Sequence, residues 1–181
     1  MILFKLFIEN NASLSNLYIY IHPQNQLFYY ICDKILNNPK FISDIEIFSF
    51  EYHCINNPPN TSKFESIQTF LSSLQLLNSI KRIKHINIST NIVEFEKYFT
   101  NIIQSQTQLF SIKTSLLKVP LLNSLKYSSS TLTSITFSSC LFSNIMELDS
   151  LYYFTQLESL QFKNCRGLNS KFFNLFSILL H

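Results

Sequence analysis

Large apolar residues recur along the chain in a fixed pattern, at the first, fourth and sixth positions of a nine-residue stretch. The two clearest copies read LTSITFSSC at 132–140 and LESLQFKNC at 157–165, with four identical positions at an offset of 25 residues. Alternating inward positions are typical of a strand that buries one face, so each copy predicts a short β-strand.

Further copies of the pattern can be placed upstream. Starts near residues 14, 42, 83, 109, 132 and 157 give spacings of 28, 41, 26, 23 and 25 residues. In a chain this rich in apolar residues the triplet alone arises often by chance. The prediction of repeats therefore depends on the regular spacing and on helical patterns in the intervals. It also depends on the ninth, closing residue of three copies, which is Asn91, Cys140 or Cys165.

Apolar residues at helical spacing fill almost every interval, for example over 27–35, 64–77 and 95–103. The long second spacing is explained by an insertion loop at about residues 55–63 before a longer helix. Repeated strand–helix units predict an α/β solenoid, with parallel strands on its concave face and helices on its convex face. We expect residues 1–181 to form one such domain of about six repeats.

Composition narrows the function classes. The chain has 181 residues but a single glycine, Gly167, which excludes phosphate-binding loops and nucleophile elbows that require glycine. The net charge is +3, and the one basic cluster, at 81–85, fits a solvated strand face better than a phosphate-binding patch. We therefore expect no nucleic-acid partner. Without a long apolar run or a signal peptide we expect no membrane association and a cytoplasmic or nuclear location.

The cysteines and histidines do not form a metal-binding pattern. None of the four cysteines pairs as CxxC, and no histidine completes a zinc spacing. We expect reduced, buried thiols and predict no catalytic residue, cofactor or metal. An enzyme with an unrecognised Cys/His site is the least favoured alternative, with His53 and Cys54 as the residues to consider.

The segments 132–140 and 157–168 resemble cysteine-containing leucine-rich repeats, and the Asn-, Ser- and Phe-rich style resembles the repeat portion of fungal F-box/leucine-rich-repeat proteins. The resemblance implies a protein–protein interaction module that recruits a substrate to an SCF-type ubiquitin ligase. In that family an F-box segment precedes the repeats. Here the first repeat begins near residue 14, so we expect no F-box segment in this chain.

A leucine-rich-repeat solenoid usually binds its partner on the sheet face opposite the helices. The variable positions between the pattern residues predict which side chains face outward. We expect a protein partner there, with aromatic residues near the N-terminus as interface anchors. The candidate protein-binding residues are Tyr18, Tyr20, Glu46, Phe48, His85, Asn87, Lys113, Thr136, Gln161 and Lys163.

The two ends suggest unfinished packing. Residues 2–8 and 172–180 are strongly apolar and look like helices of neighbouring repeats. Solenoids need polar caps at their ends, so we expect further repeats or a partner there. A truncated repeat remnant without independent function is the main alternative to a binding module.

Overall fold

The computed structural model describes residues 13–21, 27–52, 61–76, 83–90, 92–116, 119–142, 151 and 153–168. Six short strands and four helices make up most of this part. The strands are β1 Asn16–Tyr20, β2 Ile47–Tyr52, β3 His85–Thr90, β4 Ser111–Thr114, β5 Ser134–Ser138 and β6 Ser159–Lys163. The helices are α1 Leu27–Leu36, α2 Thr61–Leu76, α3 Glu96–Gln104 and α4 Val119–Leu125. Short 3₁₀ turns cover Pro39–Ile42, Val93–Phe95 and Lys126–Ser128.

The strands form one open sheet in chain order, from β1 to β6, and every neighbouring pair is parallel. Parallel neighbours need a crossover, and one helix lies between each pair of consecutive strands from β1 to β5. Successive helices pack against one another, α1 on α2, α2 on α3 and α3 on α4. The α/β class and the parallel sheet are thus confirmed, and the arrangement is compatible with a solenoid.

Alternate residues of each strand point into the core. In β1 Leu17 and Ile19 are buried, whereas their neighbours are exposed. The helices and the 3₁₀ turns before them form the other side of the core, because the Phe50 ring lies 5.8 Å from Phe95 of the turn and 5.1 Å from Phe99 of α3. The inward positions of the six strands are Leu17, Ile19, Phe48, Phe50, Tyr52, Ile86, Ile88, Thr90, Ile112, Thr114, Ile135, Phe137, Leu160 and Phe162.

The start of the second repeat was predicted wrongly. The sequence pattern began at Ile42, but β2 starts at Ile47, and the matching copy runs from Ile45 through Phe48 and Phe50. Ile42 is buried as well, but as the last residue of the 3₁₀ turn that begins at Pro39. Two apolar triplets fit the same stretch, one starting at Ile42 and the other three residues later at Ile45. Ile42 lies in the 3₁₀ turn, so the triplet that starts there does not match the strand.

The insertion loop was expected at about residues 55–63, but it ends before Thr61, where α2 begins. The rest of that loop lies outside the described residues. So do the apolar end segments 2–8 and 172–180, on which the expectation of unfinished packing depended.

A buried glutamine links the two ends of the third repeat. Gln106 follows α3, and its Oε1 accepts a hydrogen bond from the Ile83 backbone N–H at 3.0 Å. Its Nε2 donates to the Ile102 carbonyl at 2.7 Å and to Ser105 Oγ at 2.9 Å. Its side-chain amide thus forms hydrogen bonds with backbone groups that have no partner in the β-sheet.

We expect Gln106→Leu to lower the free energy of unfolding by about 1–3 kcal/mol, because the Ile83 N–H then stays buried without a partner. Gln104→Leu is the matched control, since Gln104 is exposed on α3, and we expect a change within about 0.5 kcal/mol. Urea denaturation measures both variants. Equal effects would contradict the bridging role of Gln106.

Candidate protein-binding surface

The sheet face opposite the helices carries the outward residues of all six strands. The register brings one residue from each strand into a central row, which consists of Tyr18, Ser49, Asn87, Lys113, Thr136 and Gln161. We call the face that bears this row the open face. A row drawn from six separate segments is the kind of extended surface that solenoids present to partners.

Two tyrosines stand at the N-terminal end of the open face. Tyr18 and Tyr20 on β1 are 65% and 62% exposed. The register sets Tyr18 beside Ser49 and Tyr20 beside Glu51. Exposed tyrosines combine a large apolar ring with a hydroxyl, and such residues are favoured at the centres of protein interfaces.

Phe48 and Glu46 do not lie where the sequence placed them. Phe48 is 2% exposed and belongs to the core, not to the binding surface. Glu46 precedes β2 at the edge where the strands begin, and its Oε1 accepts a hydrogen bond from Lys84 Nζ at 2.7 Å. Both errors come from the three-residue displacement of the second repeat.

Ser49 takes the place that was assigned to Glu46, and the sequence analysis missed it. A signal was available, because the chosen alignment put Phe50 at the closing position, where three other copies have cysteine or asparagine. Moving the start to Ile45 places Phe50 at an inward strand position, equivalent to Phe137 and Phe162.

Residues of β2 to β5 line a shallow depression of about 150 Å³ in the open face. Its lining is Ile47, His85, Ile86, Asn87, Ser111, Ile112, Lys113, Ser134 and Thr136. Neighbouring strands are linked across it, since His85 Nδ1 and Ser111 Oγ share a hydrogen bond of 2.8 Å. The depression thus brings together four of the predicted surface residues, His85, Asn87, Lys113 and Thr136, of which Thr136 is buried.

Asn87 is incompletely satisfied in this depression. Its Nδ2 donates to Ser49 Oγ at 3.0 Å. Its Oδ1 is buried and has no hydrogen-bond partner among the described residues. A buried acceptor without a donor lowers the free energy of unfolding by about 1–3 kcal/mol.

Lys113 carries the positive charge of the depression. Its side chain is exposed, and it forms no ion pair with any carboxylate in the described ranges. Gln161 and Lys163 lie further along the sheet, on β6, and both are exposed. The central and C-terminal parts of the open face are therefore polar and basic, whereas its N-terminal part is aromatic.

The repeat cysteines are structural. Cys140 Sγ donates to the Thr114 carbonyl at 3.6 Å, and Cys165 Sγ donates to the Phe137 carbonyl at 3.5 Å, as expected for inward residues at strand exits. Burial, with a smaller contribution from neighbouring Cys165, raises the pKa of Cys140 to about 12. Burial also raises the pKa of Cys32. Both thiols stay protonated at neutral pH and are poor nucleophiles. His53 and Cys54 lie outside the described residues.

No three histidine, cysteine or carboxylate side chains in the described part of the chain cluster as metal ligands would. Of the helices that the structure describes, none has the length and apolar character needed to cross a membrane. No protein-family model, curated protein or solved structure matches the chain.

Proposed function

We propose that this chain is a leucine-rich-repeat solenoid that binds a protein partner through the open face of its sheet. The observation that carries the proposal is the strand register, which aligns Tyr18, Asn87 and Lys113 from three separate segments in one row. A row with exposed aromatic and cationic side chains supplies the usual anchors of a protein interface.

The exposed rings of Tyr18 and Tyr20 favour binding over the alternative of a functionless repeat remnant. Folding alone does not stabilise large aromatic side chains that stay exposed to water. The resemblance to F-box/leucine-rich-repeat proteins extends the proposal, in that the partner would be a substrate for ubiquitination.

Site-specific photo-crosslinking in cells that express the protein tests the proposal. We expect a photoreactive amino acid at Tyr18 or Gln161, on the open face, to form adducts with a partner protein. The same amino acid at Glu65 on α2 or Lys97 on α3, both exposed on the helical side, is the matched control and should form none. Adducts from the helical positions alone, or from no position, would contradict the proposal.

The ligase extension has its own measurement. If the crosslinked partner is a ubiquitination substrate, depletion of this protein should lengthen the partner's half-life in a cycloheximide chase. An unchanged half-life would remove the ligase connection and leave the binding module.

A further inference from the structure

We propose that two copies of this chain associate through the outer edge of β6, in antiparallel orientation about a two-fold axis beside Leu160. This inference goes beyond the proposed function and does not depend on it. Three observations carry it: the half-buried core positions of the last described repeat, the backbone direction at Leu160 and the charges at the two ends of β6.

The core is less covered at β6 than elsewhere in the sheet. Four pattern positions of the fifth repeat are buried, whereas the equivalent four positions of the sixth repeat are only half-buried. The four pairs are Leu132 and Leu157, Ile135 and Leu160, Phe137 and Phe162, and Cys140 and Cys165. At the other end of the sheet Leu17 and Ile19 of β1 are buried. A contact at β6 would therefore remove further apolar surface from water.

The backbone of Leu160 is directed away from β5. In a parallel pair, alternate residues of a strand direct both N–H and C=O toward the same neighbour. In β6 these are the residues on either side of Leu160, because the Ser159 N–H donates to the Thr133 carbonyl and the Lys163 carbonyl accepts from the Ser139 N–H. β6 is also the last strand of the described sheet. The N–H and C=O of Leu160 thus lie along an edge where another strand can pair with them.

An antiparallel second copy would bond both groups at once. About a two-fold axis, the Leu160 N–H of each copy donates to the Leu160 carbonyl of the other, which is the closely spaced pair of an antiparallel ladder. The two half-buried Leu160 side chains then meet on the core side of the sheet. On the open face, Ser159 of one copy lies opposite Gln161 of the other, so that polar groups meet polar groups.

The charges of β6 match those of a second copy in this orientation. Glu158 precedes the strand, Lys163 ends it and Arg166 follows it. All three side chains are exposed, and none of them forms an ion pair with another described residue. In antiparallel orientation the anionic end of each strand meets the cationic end of the other, so two attractive contacts form. A parallel copy would instead set like charges side by side.

The two-fold arrangement uses one edge twice and therefore closes as a dimer. Pairing of β6 with β1 of another copy would leave an edge open at each end and produce filaments. Residues that lie opposite each other in an antiparallel pair share a face of the sheet. The dimer thus presents both open faces on the same side, where a partner with two binding segments could contact both.

Sedimentation velocity of the purified full-length chain over a range of concentrations tests the inference. We expect a reversible shift from the mass of one chain to that of two chains, without larger species. Glu158→Lys should weaken the association at least about tenfold, because both ends of the interface then repel. Glu65→Lys is the matched control, since Glu65 is exposed on α2, and it should leave the association unchanged.

The opposite charge reversal should have the same effect. Lys163→Glu combined with Arg166→Glu makes both ends of β6 anionic, and we again expect association at least about tenfold weaker. Lys126→Glu is its matched control, because Lys126 is exposed in the 3₁₀ turn that follows α4.

Mixing the two charge-reversed proteins tests the antiparallel orientation itself. Each end of Glu158→Lys is cationic and each end of the double variant is anionic, so attraction returns at both ends of a mixed pair. We expect an equimolar mixture to recover the dimer, although neither variant dimerises alone at that concentration. Recovery also shows that both variants are folded, so the loss in each one alone is not unfolding.

Other results overturn the inference in distinguishable ways. A folded monomer at every concentration would mean that a second copy does not occupy the β6 edge. Association that both charge reversals leave unchanged would place the contact elsewhere, and a mixture without recovery would exclude the antiparallel orientation. The proposed function is tested separately, because Tyr18 lies at the opposite end of the sheet and its crosslinks do not report contacts at β6.

Discussion

Phe48→Ala is expected to lower the free energy of unfolding by about 3–5 kcal/mol. Phe48 is 2% exposed and pairs in register with Leu17 on β1 and Ile86 on β3, so truncation leaves a cavity in the core between sheet and helices. For a domain with about 5–15 kcal/mol of total stability, this loss is large. The midpoint of urea unfolding at unchanged slope measures it.

Ile47→Ala is the matched control, because Ile47 is the next residue of the same strand and borders the depression in the open face. We expect it to cost about 1 kcal/mol or less, since its side chain is not fully buried. If Ile47→Ala were the more damaging of the two, the second repeat would begin at Ile42 after all. The pair therefore tests the strand register that also defines the binding surface.

Sequence reasoning succeeded where the repeats resemble one another. The identities between the copies at 132 and 157 placed β5 and β6 correctly, together with the inward cysteines that bond neighbouring carbonyls. The spacing of the repeats also allowed the inward and outward positions of β3 and β4 to be predicted. The row through Asn87, Lys113, Thr136 and Gln161 could thus be predicted, because the period of two fixes which side chains face outward once a strand is placed.

The prediction was wrong in the second repeat, because two alignments of the pattern there would bury similar residues. Ile42, Ile45 and Phe48 are all buried, so hydrophobicity alone could not decide between the triplets that begin at Ile42 and at Ile45. The unpartnered Oδ1 of Asn87 and the bridging amide of Gln106 are equally invisible in the sequence. Whether a polar atom finds a partner depends on which backbone and side-chain groups the fold brings beside it, and the repeat pattern predicts the rows of residues but not these contacts.

The single glycine is the second position where a small change should have a large effect. Gly167 has φ +80°, and a β-carbon there would overlap the carbonyl oxygen of Phe142. The two chain segments are held together at this point, since the Phe142 N–H donates to the Arg166 carbonyl at 2.9 Å. The ring of Phe142 packs on Phe137 and Phe162, with centroids 5.5 Å apart in each case. Backbone proximity, not phosphate binding, explains the glycine.

We expect Gly167→Ala to lower the free energy of unfolding by about 2–5 kcal/mol. The left-handed backbone accounts for about 1–2 kcal/mol, and displacement of Phe142 from its aromatic contacts adds about 1–3 kcal/mol. Ser139 and Asn164 separate the two contributions, because both carry β-carbons at positive φ, 59° and 55°. Relief of backbone strain should make Ser139→Gly neutral or slightly stabilising in the same denaturation experiment. A loss at Gly167→Ala of about 1 kcal/mol or less would mean that Phe142 moves aside freely, and that the packing between the last two described repeats is looser than these contacts imply.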